Sequence, residues 1–392
     1  MAIIIVGGGM AGATLALALS RMTAGRLAVD LVEARTPDGR PHPGYDGRAL
    51  ALADGTCRQL TAIGVWPALR PGASPMARVQ VSDRGHFGKV WLDARDYGLD
   101  ALGYVVELHE AGQRLYELLR RAPGVRLHCP ASVASVARRS DAVDVALDNG
   151  EHLTGRLLVA ADGSRSPTAE QCGITWRQSD YRQLAVIANI TTARALDKTA
   201  YERFTEHGPL ALLPLSAGRA AVVWCLPEER RDEVAGWDDA AFRDALQRVF
   251  GWSLGRIRKV GRRQIYPLRL LTAAGHIGHR LALVGNAAQT LHPIAGQGFN
   301  LGLRDVMTLA ETLAEAHGRG DDPGDYPTLR QYSRRRGPDQ TNAVKMTDGL
   351  IHVFANDYPA LVLARNWGLQ TMARWPLLRN VLARRTLGWV ER

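Results

Sequence analysis

The residues best suited to chemistry fall in three short turns, each of which follows an apolar run. The first is Gly7-x-Gly9-x-x-Gly12, set between an apolar stretch and a helical pattern. The first glycine permits a tight turn, the second lets backbone approach a pyrophosphate, and the third lets a helix lie close on a strand. An anion held there rests on the positive end of the helix. Glu33 closes the next apolar run, where an acid can accept a hydrogen bond from an adenosine ribose. Taken alone, this motif does not separate one dinucleotide from another. The second turn, Asp162-Gly163, follows Leu153–Ala160. A carboxylate in that position serves equally well as a helix cap or turn former.

The third segment runs from Leu281-Ala282-Leu283-Val284-Gly285-Asn286 through His292-Pro293-Ile294-Ala295-Gly296-Gln297-Gly298-Phe299-Asn300. Asn286 stands after a strand, where its side chain can meet a sugar-like hydroxyl chain. Gly296, Gly298 and a helix beginning near Asn300 offer backbone N–H groups. With the helix dipole, these can stabilise negative charge on the pyrimidine ring of a reduced flavin. Three separated segments suited to one extended nucleotide imply a flavoenzyme. His292 is the candidate proton relay, because imidazole titrates near neutrality, with shaping of the turn before Pro293 as its other use. Arg48 can fork onto a pyrophosphate or lie on the surface. Arg114, opposite Leu115 on its helix, can reach the cofactor or face solvent. The expected cofactor-binding residues are therefore Gly7, Gly9, Gly12, Glu33, Arg48, Arg114, Asp162, Gly163, Asn286, Pro293, Gly296, Gln297, Gly298, Phe299 and Asn300.

Positioning these turns takes a doubly wound sheet. Ala2–Val6 and Leu27–Glu33 read as strands around a Met10–Met22 helix, and residues 108–121 read as another helix. Val125–His128, Val133–Ala137, Ala142–Leu147 and Leu153–Ala160 read as strands. From about Arg182 the pattern changes to strands at Ala185–Ile190, Leu210–Leu215, Ala220–Leu226 and Ile257–Leu268, with a charged helical stretch over Glu228–Phe250. Beyond Tyr326 the chain reads as helices. These patterns predict an α/β protein with a discontinuous nucleotide-binding domain over 1–73, 101–180 and 273–325. A mainly antiparallel inserted sheet occupies 74–100 and 181–272, and a helical region fills 326–392.

At 392 residues the chain is long enough for two domains. The N-terminal apolar stretch resembles a signal peptide but is broken by Gly7-Gly8-Gly9, and no other run suits a membrane span. Cys57, Cys129, Cys172 and Cys225 form no CxxC pair, which argues against a metal cluster or disulfide framework and for a reducing cytoplasm. The net charge of +10 comes without a basic block interleaved with aromatics, so nucleic acid is not the expected partner. The basic, Trp-bearing C-terminal helices suit a membrane surface or a partner protein.

Together these residues resemble the single-component, FAD-binding aromatic hydroxylases with the fold of para-hydroxybenzoate hydroxylase. The family's GxGxxG, DG and GD hallmarks correspond to Gly7–Gly12, Asp162-Gly163 and Gly285-Asn286, in that order. His292–Asn300 followed by Asp305, and Thr347–Asn356, are similar to the ubiquinone-biosynthesis branch. The resemblance implies a Rossmann-like FAD-binding domain with an inserted, mainly antiparallel β-sheet substrate domain and C-terminal helices. It also implies NAD(P)H as transient electron donor and a flavin hydroperoxide that hydroxylates a polyprenylated phenol para to its hydroxyl. Other ubiquinone-biosynthesis enzymes are the implied partners. Asn286 and Gln289 depart from the family's Asp and His, which implies a weaker grip on FAD. Leu210, Leu212 and Trp224 are candidate lining for an apolar active site, with core packing as their alternative use. A hydroxylase for another ring position, a prenyl reductase and a non-catalytic assembly member are the rival readings.

Overall fold

Ala2–Val6 (β1) is five apolar residues, all buried, as suits the middle of a parallel sheet covered on both faces. The computed structural model describes residues 2–36, 48–354, 356 and 358–389, the side chains of 295, 297, 376, 381, 382 and 385 excepted. Helix Met10–Met22 (α1) carries the chain from β1 to Val29–Val32 (β2), which pairs parallel with β1. On its other side β2 pairs with Val125–His128 (β3), which follows helix Leu108–Leu119 (α2). His152–Ala160 (β4) pairs with the free edge of β1, and Leu281–Leu283 (β5) pairs with β4. The order β5-β4-β1-β2-β3 is parallel throughout. Val6 lies beside Ala160 and Ala160 beside Leu283, so β1, β4 and β5 end level. Turns separated by more than a hundred residues thus leave one edge of the sheet together.

A second, nine-stranded sheet joins this edge through Gln289–Thr290, just beyond β5, which pairs with Leu271 and Thr272. Its longest strand, Trp176–Thr192, contains the expected Ala185–Ile190, and Gly208–Pro214 and Arg219–Pro227 match their expected positions. The expected strand Ile257–Leu268 is two strands, Ile257–Val260 and Gln264–Ala273, because one extra residue is accommodated between Val260 and Gln264, opposite Ile190 and Ile187, where Gly261 N–H donates to Asn189 O at 2.7 Å. The charged stretch after Pro227 is likewise broken. It ends in a helix over Asp239–Phe250, capped by Asp238, whose Oδ1 accepts from Ala241 N at 2.7 Å. Arg78–Asp83 and Lys89–Asp93 complete the far side of this sheet.

The two faces of this sheet differ. Leu210, Leu212 and Trp224 pack with Val186, Val222, Phe242 and Leu246 against the Asp239–Phe250 helix. They are core residues of the outer face, which is the packing use the sequence also offered, and not an active-site lining. Successive side chains alternate faces. Leu213 and Ala221 therefore turn inward, onto Ala49, Ala51 and Val105, and Ala185 packs with Cys225, Val223 and Leu268.

Helix Gln297–Arg319 (α3) packs on α1 and on the long helix Tyr326–Phe354 (α4). Tyr332 of α4 donates its hydroxyl to Leu283 O at the end of β5 (2.9 Å). Within the interface, Arg336 Nε meets Asp305 Oδ1 at 2.8 Å, and the two side chains are 1% and 0% exposed. Gln340 adds a second donor to Asp305, and Asp339 bridges Arg336 and Arg304. Burial pushes the Asp305 carboxyl up, against the pull of Arg336. Removing one member of a buried pair strands the other. Arg336→Leu is expected to cost about 3–5 kcal/mol in urea denaturation, and the double change Asp305→Leu/Arg336→Leu clearly less.

Candidate cofactor-binding site

The three turns meet through backbone contact. Gly7 has φ of +101°, and a Cβ there would stand 2.6 Å from Ala161 O. A Cβ on Gly12 would stand 1.9 Å from Gly7 O, so α1 approaches the turn as closely as only glycine permits. Gly9 differs: a Cβ there meets no atom within 4 Å. It is the N-cap of α1, with no side-chain cap and no acid in the first turn. The first N–H groups of α1 therefore lack a partner within the helix and carry its positive end. Glu33 faces the same turn, its carboxylate accepting from Gly8 N at 2.6 Å and from Arg35 N at 2.9 Å.

Asp162 is divided between two uses. Its Oδ2 accepts from Thr168 N at 3.1 Å, whereas Oδ1 is buried with no hydrogen-bond partner. Gly163 follows with φ of +95° and nothing within 4 Å of its Cβ position. Gly285 has φ of +61°, and its Cβ position is 3.0 Å from Ala11 Cβ. A Cβ on Gly302 would in turn stand 3.0 Å from Gly285 Cα. Small residues thus let α1 and α3 converge on the end of β5, which brings two helix N-termini to one place. Asn286 lies exposed in the one-turn helix Gly285–Ala287.

Gly296, at φ of +61°, caps α3, and a Cβ on Gly298 meets nothing within 4 Å. The N–H groups of residues 297–299 open the helix and have no preceding carbonyl to bond. Pro293 lies in the loop before them, and Phe299 packs on the main core. The side chain of Gln297 lies outside the described residues. Asn300, expected to bind cofactor, gives its whole side chain to protein. Oδ1 accepts from Ala53 N (2.9 Å) and Thr56 Oγ1 (2.7 Å), and Nδ2 donates to Ala51 O (2.9 Å) and Gly296 O (2.8 Å). It clamps the start of α3 to the neighbouring strand.

His292 is fully buried, and Nδ1 accepts from Ile294 N at 3.3 Å. Nε2 therefore carries the proton and donates to Gln183 Oε1 at 3.0 Å. The Tyr181 ring stands edge-on at 5.2 Å, and its hydroxyl donates to Asp348 of α4 at 2.9 Å. Burial lowers the His292 pKa to about 4, so the ring is neutral near pH 7. Both nitrogens serve the loop, which matches turn shaping. Tyr181, Gln183 and Asp348 form this brace and were not foreseen, because only strand alternation and folding bring them to the loop.

Arg48 stands with its guanidinium 5.4 Å from the Tyr266 ring centre. Arg114 does not join the turns. It is 45% exposed on α2, 3.9 Å from Glu110 and 3.8 Å from Glu117, on the solvated face. Glycines whose Cβ would meet no protein atom, an unpartnered buried carboxylate oxygen and two open helix N-termini make a cradle that fits FAD.

Comparison with known proteins agrees with this geometry. A family model described as FAD binding domain matches residues 1–347. The chain is 37% identical to ubiquinone hydroxylase UbiL of Rhodospirillum rubrum, across 99% of this chain and 90% of the relative. It is 31% identical to 3-demethoxyubiquinol 3-hydroxylase of Escherichia coli, across 98% of each. In fold it is similar to p-nitrophenol 4-monooxygenase PnpA of Pseudomonas putida, with TM-score 0.80 at 20% identity over 99% of this chain and 98% of that one.

The two kinds of glycine are separable by substitution. Gly9→Ala is expected to fold with unchanged melting temperature yet bind FAD on the order of tenfold or more weakly, because the methyl intrudes only on the cofactor's side. Gly12→Ala should fail to fold or lose several kcal/mol, roughly 3 or more, since backbone blocks the methyl. Flavin fluorescence and circular dichroism read both.

The His292 pKa lies below its unfolded value of 6.5, so the unfolded chain binds more protons as pH falls from 6.5 to about 4. The stability this ring contributes is full above 6.5 and is lost across that window, by on the order of 3 kcal/mol. Denaturation of wild type against His292→Gln at pH 7 and pH 4.5 should show the difference narrowing at the lower pH.

Proposed function

The chain belongs to the FAD-binding-domain family of flavin-dependent aromatic hydroxylases, and on that premise we propose that it hydroxylates a polyprenylated phenol in ubiquinone biosynthesis. The proposed conversion is 2-polyprenyl-6-methoxyphenol to 2-polyprenyl-6-methoxy-1,4-benzoquinol. The observation that carries the reading is the meeting of two helix N-termini and three turns at one sheet edge, with open space at the Cβ positions of Gly9 and Gly298. Its full-length similarity to two ubiquinone-pathway hydroxylases supports the pathway.

Bound FAD, reduced by NAD(P)H, supplies the activation of dioxygen and the transfer of one oxygen atom to an electron-rich ring. The residues of the chain do the rest. Gly9 and the first N–H groups of α1 would receive the pyrophosphate, and Glu33 the adenosine ribose. Asn286 would meet the ribityl chain without charge, which supports a looser grip than an aspartate gives. The N–H groups of residues 297–299 would stabilise negative charge on the pyrimidine ring. We assign His292 to holding this loop rather than to relaying protons. Ala185, Leu213, Val223 and Cys225, on the inner face of the nine-stranded sheet, would cover the substrate ring and exclude water.

A second reading, hydroxylation at another ring position, draws support from the name of the Escherichia coli relative. For location we propose the cytoplasm with peripheral membrane contact, and for partners other enzymes of ubiquinone synthesis. The four free cysteines support a reducing compartment, and among the described residues no helix is long and apolar enough to cross a membrane.

The FAD-loaded protein should oxidise NADPH faster when a short-chain 2-prenyl-6-methoxyphenol is present and incorporate one atom of labelled dioxygen para to the hydroxyl. Label elsewhere on the ring would move the assignment to the second reading. Product without label would indicate a reductase on this fold, and FAD-loaded protein without turnover a non-catalytic member.

A further inference from the structure

The C-terminal helices present an apolar face that the fold holds outward. Helix Pro359–Arg374 (α5) is pinned to the Arg78–Asp83 and Lys89–Asp93 hairpin by Arg365, whose Nε meets Asp83 Oδ2 at 2.8 Å with side chains 2% and 1% exposed. Asn366 donates to the same Asp83 oxygen at 2.7 Å and accepts from Gly88 N at 2.7 Å. A buried, fully engaged pair of this kind fixes one rotation of the helix, because any other would strand a charge. The opposite face then points to solvent. Leu363 and Trp367 stand on it, 57% and 59% exposed, and Arg374 follows one turn pair later on the same stripe. Past the helix end, Trp375 and Leu377 are 63% and 82% exposed. Phe87, 58% exposed, borders the patch, since Gln370 donates to its carbonyl at 3.0 Å.

Charge identifies the occupant. Residues 358–389 contain five arginines and no acidic residue. Arg365 and Arg379 answer Asp83 and Asp96, while Arg374, on the stripe of Leu363 and Trp367, and Arg384 are exposed. Exposed aromatic and aliphatic side chains with an arginine on the same stripe, in a segment with no acid, match the boundary between lipid headgroups and acyl chains. We propose that this face seats the protein in the plane of an anionic lipid surface. Leu363, Trp367 and Trp375 enter the headgroup region, and Arg374 meets lipid phosphate. The inference rests on the proposed polyprenyl substrate for its purpose but not for its geometry.

The test uses the full FAD-loaded chain with vesicles of phosphatidylcholine alone, or with about one-third phosphatidylglycerol to supply the negative surface potential. The protein should sediment with the anionic vesicles, with a blue shift in tryptophan emission, and should be released at high salt. The double change Leu363→Glu/Trp367→Glu touches only exposed side chains and should lower partitioning on the order of tenfold or more, leaving turnover of a short-chain phenol unchanged. Wild type that stays in the supernatant, or a double variant that sediments equally, overturns the proposal. Concentration-dependent self-association abolished by the same variant, without vesicle binding, overturns it in favour of an interface between copies. Vesicle binding without any phenol turnover would sink the substrate reading and leave this one supported.

Discussion

Close backbone contact at the carboxyl ends of three parallel strands is the constraint on which the rest depends. Gly12 lies against the carbonyl of Gly7, Gly7 lies against Ala161, and Gly285 lies between Ala11 and Gly302. Each contact leaves no room for a methyl group at the glycine without displacing a neighbour. Their common effect is to bring the N-termini of α1 and α3 to the same edge, so that unpaired N–H groups from both gather there. A cradle for an anionic, extended cofactor is then a consequence of packing rather than of added charge. Glu33 and Asp162 stand at this edge; Glu33 already holds the backbone N–H of Gly8 in the first turn, and Asp162 that of Thr168 in the helix after the second.

The loop before α3 needs support that the sheet edge does not provide, and polar side chains provide it. Asn300 ties the helix start to Ala51 and Ala53, and His292 ties the loop to Gln183 of the overlying sheet. Tyr181 and Asp348 continue the connection to α4. Buried polar groups are stabilising only when their bonds are made, so each of these fixes one arrangement of loop, sheet and helix. Asp305 and Arg336 act in the same way between α3 and α4. The nucleotide edge, the covering sheet and the C-terminal helix are in this way joined at the place where chemistry is proposed.

Much of the fold was legible in the sequence because its signals are local. An apolar run between turn residues marks a buried strand, and the spacing of Gly7, Gly9, Gly12 and Glu33 marks strand, turn, helix and strand in succession. Boundaries in the second sheet were less legible. One expected strand is two, parted at the polar Gly261-Arg262-Arg263, which the expected strand ran across. Leu210, Leu212 and Trp224 were legible as buried but not as outer-face residues, since alternation states that neighbours differ without stating which side meets which layer.

The sequence by itself determined the order of the parallel strands, the class of cofactor and the glycine turns proposed to hold it, because glycine spacing and apolar periodicity act over a few residues; the strands Ala49–Ala53, Gly103–Glu107 and Thr199–Thr205 escaped it. Only the tertiary structure decided which glycines serve packing and which border open space. It also decided that Asn300 and His292 spend their side chains on the protein, and that Arg114 stays in solvent. These outcomes depend on atoms brought together from distant parts of the chain, such as Gln183 beside His292 and Thr56 beside Asn300. No local pattern encodes a hydrogen bond whose partner lies more than a hundred residues away.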